Sequence, residues 1–170
     1  MSRGFVREDD QEEPVLVPPR APLPAGFANL VTPRGHAQLL AEKAALENRR
    51  NGLDLPEGAA RRREMAEING RLALLEERIA SARLVEPDGP AVDVRFGTTV
   101  TFRITAGPQQ GSERTFTLVG VDEAKVAEGR MAYTAPVAQA LMGKKPGANA
   151  SFKLGDQVQQ LQVVAVVQNI

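Results

Sequence analysis

Met65, Ile68, Leu72, Leu75, Ile79 and Ala82 recur at alternating steps of three and four residues. That spacing draws one apolar seam down a helix and requires a second helix to cover it. A less regular apolar set upstream, Ala37, Leu39, Leu40, Ala44 and Leu46, supplies the cover. Between the two sets, Asn51-Gly52 stops a helix and Pro56 starts one, so the reading is an antiparallel hairpin with a short tip, over residues 31–86. A first helix over residues 35–50 would be about 24 Å long and a second over 57–83 about 40 Å, at 1.5 Å per residue. Either the second helix overhangs at the base and packs on the next domain, or the tip lies later in the chain.

After the break Glu86-Pro87-Asp88-Gly89-Pro90 the pattern turns to strands, over residues 98–104, 113–119, 131–134, 150–154 and 160–167. Between the third and fourth of these, Pro136 opens a short helix whose Val137, Ala140 and Leu141 make one apolar face. Thr134 or Ala135 lies at its cap and Gly143 at its end. Lys144 and Lys145 follow near the negative end of the helix dipole, and Pro146-Gly147 turns the chain into its next strand. The fold class is therefore α+β: an N-terminal helical hairpin, then, over residues 91–170, a small, strongly bent antiparallel sheet holding one helix.

Residues 1–30 read as a disordered leader. Glu8, Asp9, Asp10, Glu12 and Glu13 precede five prolines from Pro14 to Pro24, and such a stretch buries too little apolar surface to offset the entropy of ordering it. Its charge and prolines also suit a docking strand for a partner. The chain has no cysteine and one histidine, which closes off thiolate chemistry, cysteine-ligated zinc and histidine-rich metal sites. His36, without a histidine or cysteine to help it, is read as a surface or interdomain residue. Formal net charge is zero, so broad nucleic-acid binding is not expected, although local basic clusters can touch phosphates. No apolar run approaches the roughly 18 residues that cross a membrane, and the charged N-terminus is unlike a secretory signal, which points to the cytoplasm. A protein is the expected partner, and the seam, covered within one hairpin, makes a monomer the expected state.

Residues 129–147, reading GRMAYTAPVAQALMGKKPG, resemble the strand, Ser-Pro helix, "LLGK" and "GD" run of the bacterial transcript cleavage factors GreA and GreB. The run from Val94 to Val100 is similar to the family's first β-strand, the run from Glu113 to Gly120 with Asp122-Glu123-Ala124 to its second strand and acidic turn, and Thr32-Pro33-Arg34-Gly35 to the start of its first helix. The resemblance spans residues 31–170 and implies a coiled-coil arm, shorter here than in the family, followed by an FKBP-like domain. It departs from the pattern where Ala135 replaces serine before proline and Ala148 replaces aspartate after glycine. Isomerase activity, which such a domain could carry, wants an aromatic-lined pocket. A chain with no tryptophan and one tyrosine is poorly supplied for that.

The resemblance implies a transcription elongation factor that binds RNA polymerase at the secondary channel and is not a catalyst on its own. The family's "DLxEN" tip motif falls on Asp54-Leu55-Pro56-Glu57-Gly58, where both acids match and the asparagine does not. Asp54 and Glu57 would help hold an Mg²⁺ shared with the polymerase for cleavage of backtracked RNA, in keeping with the preference of that ion for carboxylate and phosphate oxygens. Asp-x-x-Glu before a helix is equally a capping box, in which both acids serve the backbone. Arg49, Arg50, Arg61, Arg62 and Arg63 bracket the tip and suit nascent RNA or acidic channel walls, or form a solvated helix face. Pro136, Lys144 and Lys145 fall on the domain expected to dock at the channel rim. The same setting carries an expectation of DNA contact. The alternative is a regulator of this fold that occupies the channel and inhibits or competes without stimulating cleavage.

Overall fold

The computed structural model describes residues 14–168. The hairpin is formed by α1, Pro33–Asn51, and α2, Ala59–Ala80. Its 19 and 22 residues span about 29 and 33 Å, so the two helices nearly match in length. The overhang expected from the seam is removed at both ends. Pro33 enters α1 because Thr32 caps it, its Oγ1 accepting from the Gly35 amide at 2.9 Å. α2 ends before the last seam residue because the next backbone groups are claimed elsewhere: Arg83 donates to Asn29 O at 2.8 Å and Val85 to Val31 O at 2.9 Å. Those bonds join β1, Leu30–Val31, to β2, Arg83–Leu84, as a short parallel pair at the base of the arm.

Ile68 and Leu75 are fully buried in the seam, with Leu39 and Leu46 facing them from α1 and Val31 and Leu72 completing the cluster. Each contributes about 1.5–3 kcal/mol by leaving water, which holds two helices whose individual ends are largely polar.

The β-rich part is a five-stranded sheet in the order β5-β4-β3-β7-β6. Its strands are β3 (Thr98–Ala106), β4 (Glu113–Val119), β5 (Arg130–Ala132), β6 (Asn149–Leu154) and β7 (Gln157–Gln168). Along β3, Val100, Phe102 and Ile104 point to the core, while Thr99, Thr101 and Arg103 point outward and pair with Thr117, Thr115 and Glu113 of β4. β3 and β7 slip register between Thr101 and Phe102, and such a bulge bends and twists a sheet. α3, Pro136–Leu141, closes the core with Ala138 and Leu141.

One expectation is corrected. β4 and β5 run parallel, not antiparallel, because the chain between them turns at Asp122 and again through a 3₁₀ turn at Val126–Glu128. That connection brings it back in its original direction, as a parallel pair requires.

The leader also departs from expectation where it is described; its acidic run, residues 8–13, lies outside the described residues. Residues 14–29 form no regular element, yet they are fastened. Phe27 meets Tyr133 edge-on at 5.8 Å, the Tyr133 hydroxyl donates to Ala28 O, and buried Asn29 donates to Arg78 O at 2.8 Å. Composition argues against a core of its own, and this segment instead borrows the core of the rest of the chain.

Candidate functional site

The tip of the arm spans residues 52–58. Leu53 is half-buried there, while Asp54, Leu55, Pro56 and Glu57 are exposed. Neither acid caps α2: the helix begins two residues after Glu57, and its N-cap is Gly58, with no side-chain bond to the first turn. The capping-box alternative is therefore not realised. Gly58 has φ 154° and ψ −173°, a conformation close to glycine-only. The family's asparagine at this position would be strained on this backbone.

Arg61 is what shapes the loop. Its Nη1 donates to Leu53 O at 2.8 Å and to Leu55 O at 3.0 Å, while Nε lies 3.3 Å from a Glu57 carboxylate oxygen. The sequence offers Arg61 as a contact for RNA; the structure gives its guanidinium three local partners. Arg49 is paired with Glu64 across the hairpin. Arg62 and Arg63, near the start of α2, are exposed, and Arg50, at the end of α1, is half-buried. The Glu57 side chain is 91% exposed, so its ion pair with Arg61 is a weak one.

At the opposite end, the base of the arm meets the acidic turn of the β-rich part. Asp122 accepts from Arg20 at 2.8 and 3.0 Å and from Arg78 at 2.6 Å, and Arg20 also reaches Glu42 of α1 at 2.9 Å. Buried Glu123 accepts from the Thr32 hydroxyl at 2.5 Å. A Cβ on Gly35 would stand 2.7 Å from Glu123 Oε2, so the first turn of α1 must be glycine to come this close. The leader, both helices and the sheet therefore converge on two adjacent carboxylates. The guanidinium of Arg20 is held above its ordinary pKa by its bond to Glu42, against some burial. Thr32, Gly35, Asp122 and Glu123 stand in segments that resemble the family, but nothing in the sequence shows that they form one joint. Arg20 and Arg78 carry no sequence signal at all.

The third region is the loop after α3. Pro136 sits at the first turn of that helix and is exposed. Lys144 is half-buried, its carbonyl accepting from Val94 N at 2.8 Å, and Lys145 is exposed. This loop and the tip lie in different parts of the molecule, one on the β-rich part and one at the end of the arm. His36 is partly buried in α1 beside the joint. Among the described residues, no cluster of three or more histidines or carboxylates is placed to hold a metal by itself, and no helix is long and apolar enough to cross a membrane.

The chain is similar in sequence to proteins of one kind. A family model described as "Transcription elongation factor, GreA/GreB, C-term" matches residues 89–168. Transcription elongation factor GreA of Hyphomonas neptunium is 33% identical over 153 residues, covering 81% of this chain and 96% of that protein. The GreA of Acidiphilium cryptum is 35% identical over 128 residues, covering 73% and 79% respectively. The solved structure of a prokaryotic transcription elongation factor GreA/GreB from Nitrosomonas europaea aligns over 83% of this chain and 98% of its own, with 24% identity and a TM-score of 0.39. The expected DNA contact finds no support in these matches. With a relative that is one-third identical over nearly its full length, and a hairpin joined to a β-rich part as the resemblance implied, the chain belongs to the GreA/GreB family of transcription elongation factors.

Proposed function

We propose that this factor binds bacterial RNA polymerase through its β-rich part and presents the hairpin tip to the secondary channel, where Asp54 and Glu57 assist cleavage of backtracked RNA. The observation that carries the reading is the tip itself: both carboxylates are exposed at the far end of a two-helix arm, and neither is spent on capping α2. A magnesium ion shared with the polymerase would activate water and stabilise the phosphodiester oxygens. Asp54 and Glu57 fit such an ion, because each offers solvent-facing oxygens of the kind it prefers. Arg61 fixes the loop on which they stand, and Arg50, Arg62 and Arg63 meet phosphates or acidic channel walls. Pro136, Lys144 and Lys145 dock at the rim. On this reading the protein is not a catalyst on its own; it completes another protein's active centre.

A second reading, channel occupancy without cleavage, is favoured by one feature of the tip. Glu57 already faces Arg61, and Gly58 stands where the family motif has asparagine. Adding the purified protein to a backtracked elongation complex separates the two. Transcript shortening that is abolished by Asp54→Ala with Glu57→Ala, at unchanged polymerase binding, supports cleavage; binding without shortening supports occupancy. Failure to bind polymerase at all overturns both.

A further inference from the structure

The arm meets the β-rich part at its base. There the Thr32 hydroxyl donates to Glu123, and Gly120 comes so close to Leu30 O that a Cβ would collide with it. Arg78, in the last turn of α2, reaches Asp122 at the same level. Contacts at the foot of a lever have little purchase against its tilting.

Arg20 takes hold further out. Its Nη1 and Nη2 donate to the two carboxylate oxygens of Glu42 at 2.9 and 3.1 Å, while Nε and Nη2 donate to Asp122 Oδ1 at 3.0 and 2.8 Å. Glu42 stands about 14 Å along α1 from Pro33, at 1.5 Å per residue. One planar guanidinium, whose fork suits two carboxylates at once, therefore ties the middle of α1 to the acidic turn of the sheet. The chain that carries it is anchored on both sides. Arg78 donates to Ala21 O at 2.7 Å and Val17 lies over Gly70, where a Cβ would collide with it, so this stretch is held to α2. Phe27, against Tyr133, holds the other end to the β-rich part.

We propose that Arg20 is a positioning residue: carried by residues 17–27, it braces the arm against the Asp122 turn and so fixes the direction in which the tip acids point. Its consequence for cleavage rests on the function proposed above, whereas the brace itself does not. An arm about 30 Å long that tilts by roughly 10° carries its tip about 5 Å sideways. A displacement of about 1 Å among reacting groups can cost about 100-fold in rate. Arg20 touches nothing at the tip, yet sets where the tip arrives.

The natural chain has no cysteine, so two nitroxides can be placed without background. Asn51→Cys, at the far end of α1, and Ser151→Cys, on β6, are both exposed and report the angle through their electron–electron dipolar coupling. On the natural background the distance distribution should be single and narrow. Arg20→Ala and Glu42→Ala should each widen it by about 5 Å, the excursion of the tilting arm. Arg103→Ala, which breaks an exposed pair with Glu113 on the sheet, should leave it unchanged. Glu42→Ala is the decisive variant, because it removes the arm end of the brace and leaves the Arg20–Asp122 bond in place; a purely stabilising role for the cluster would not move the distribution. In the same two variants, without labels, shortening of RNA in a backtracked complex should slow about tenfold at unchanged polymerase binding. The proposal is overturned if the natural background is already as wide as the variants, if both variants keep the natural width, or if the distribution widens while shortening is unaffected. A natural chain that binds polymerase but never shortens RNA would refute the cleavage reading alone, and the distance distributions would still decide the brace.

Discussion

Asp122→Ala should be far more costly than its position in a turn suggests. Its carboxylate takes both guanidiniums, Arg20 on one oxygen and Arg78 on the other, and the three side chains are only 18%, 13% and 11% exposed for Arg20, Arg78 and Asp122. Removing the acid loses two charge-assisted contacts, each worth about 1.5–3 kcal/mol in isolation. It also leaves two arginines facing one another with little water. Because such losses overlap, and because water can enter the gap, about 3 kcal/mol is the expected total, the lower end for breaking a buried pair from one side. For a chain of this size that lowers the melting temperature by about 6–12 °C. The internal control is Glu42→Ala. Glu42 binds the same Arg20 but is 45% exposed, so its loss should cost at most about 1 kcal/mol. Thermal and urea unfolding followed by circular dichroism, on both variants and the double variant, provide the comparison. If Asp122→Ala and Glu42→Ala cost the same, the joint is not held by this cluster and the reasoning fails.

Other expectations are simpler to check. Gly35→Ala gains helix propensity in α1 but places a methyl group 2.7 Å from the Glu123 carboxylate, so urea unfolding should show a net loss of about 1–2 kcal/mol. Leu75→Ala empties a fully buried site in the hairpin seam and should cost about 2–5 kcal/mol, with loss of helical signal at lower denaturant than in the natural chain. Asp54→Ala with Glu57→Ala, by contrast, should leave unfolding within about 0.5 kcal/mol, since both side chains are exposed and neither caps a helix. Tyr133 is the only tyrosine, so absorbance at the phenolate band reads one group. Burial raises its pKa above 10.0, which means the folded state holds the phenol proton more tightly than the unfolded chain does. The stability linked to it is complete below the ordinary tyrosine pKa and is lost as pH rises through the folded value. A titration midpoint at or below that of free tyrosine would contradict the burial of its ring.

The core of the hairpin was legible because a covered helix must repeat its apolar residues, and Ile68, Leu72 and Leu75 do so. β3 and β4 were legible for the same kind of reason, since alternation along a half-buried strand is a local property. The ends of α2 were not, because Ala82 continues the seam while its neighbours' backbone bonds go to β1. Arg61 was visible as a charge but not as the clamp of the tip, since its partners there are mostly carbonyls, which every residue carries.

The residues alone thus determined which segments pair with themselves: a seam needs a cover, an alternating run needs neighbours, and a proline or glycine marks where each stops. Only the tertiary structure decided that Arg20, Thr32, Arg78 and the Asp122-Glu123 turn meet at one joint, that β5 runs parallel to β4, and that residues 14–29 are fastened to Tyr133 and Arg78. Local patterns record the repeat of a helix or strand, whereas contacts between single residues far apart in the chain have no repeat to record. They become visible only when the folded backbone brings them within a few ångströms.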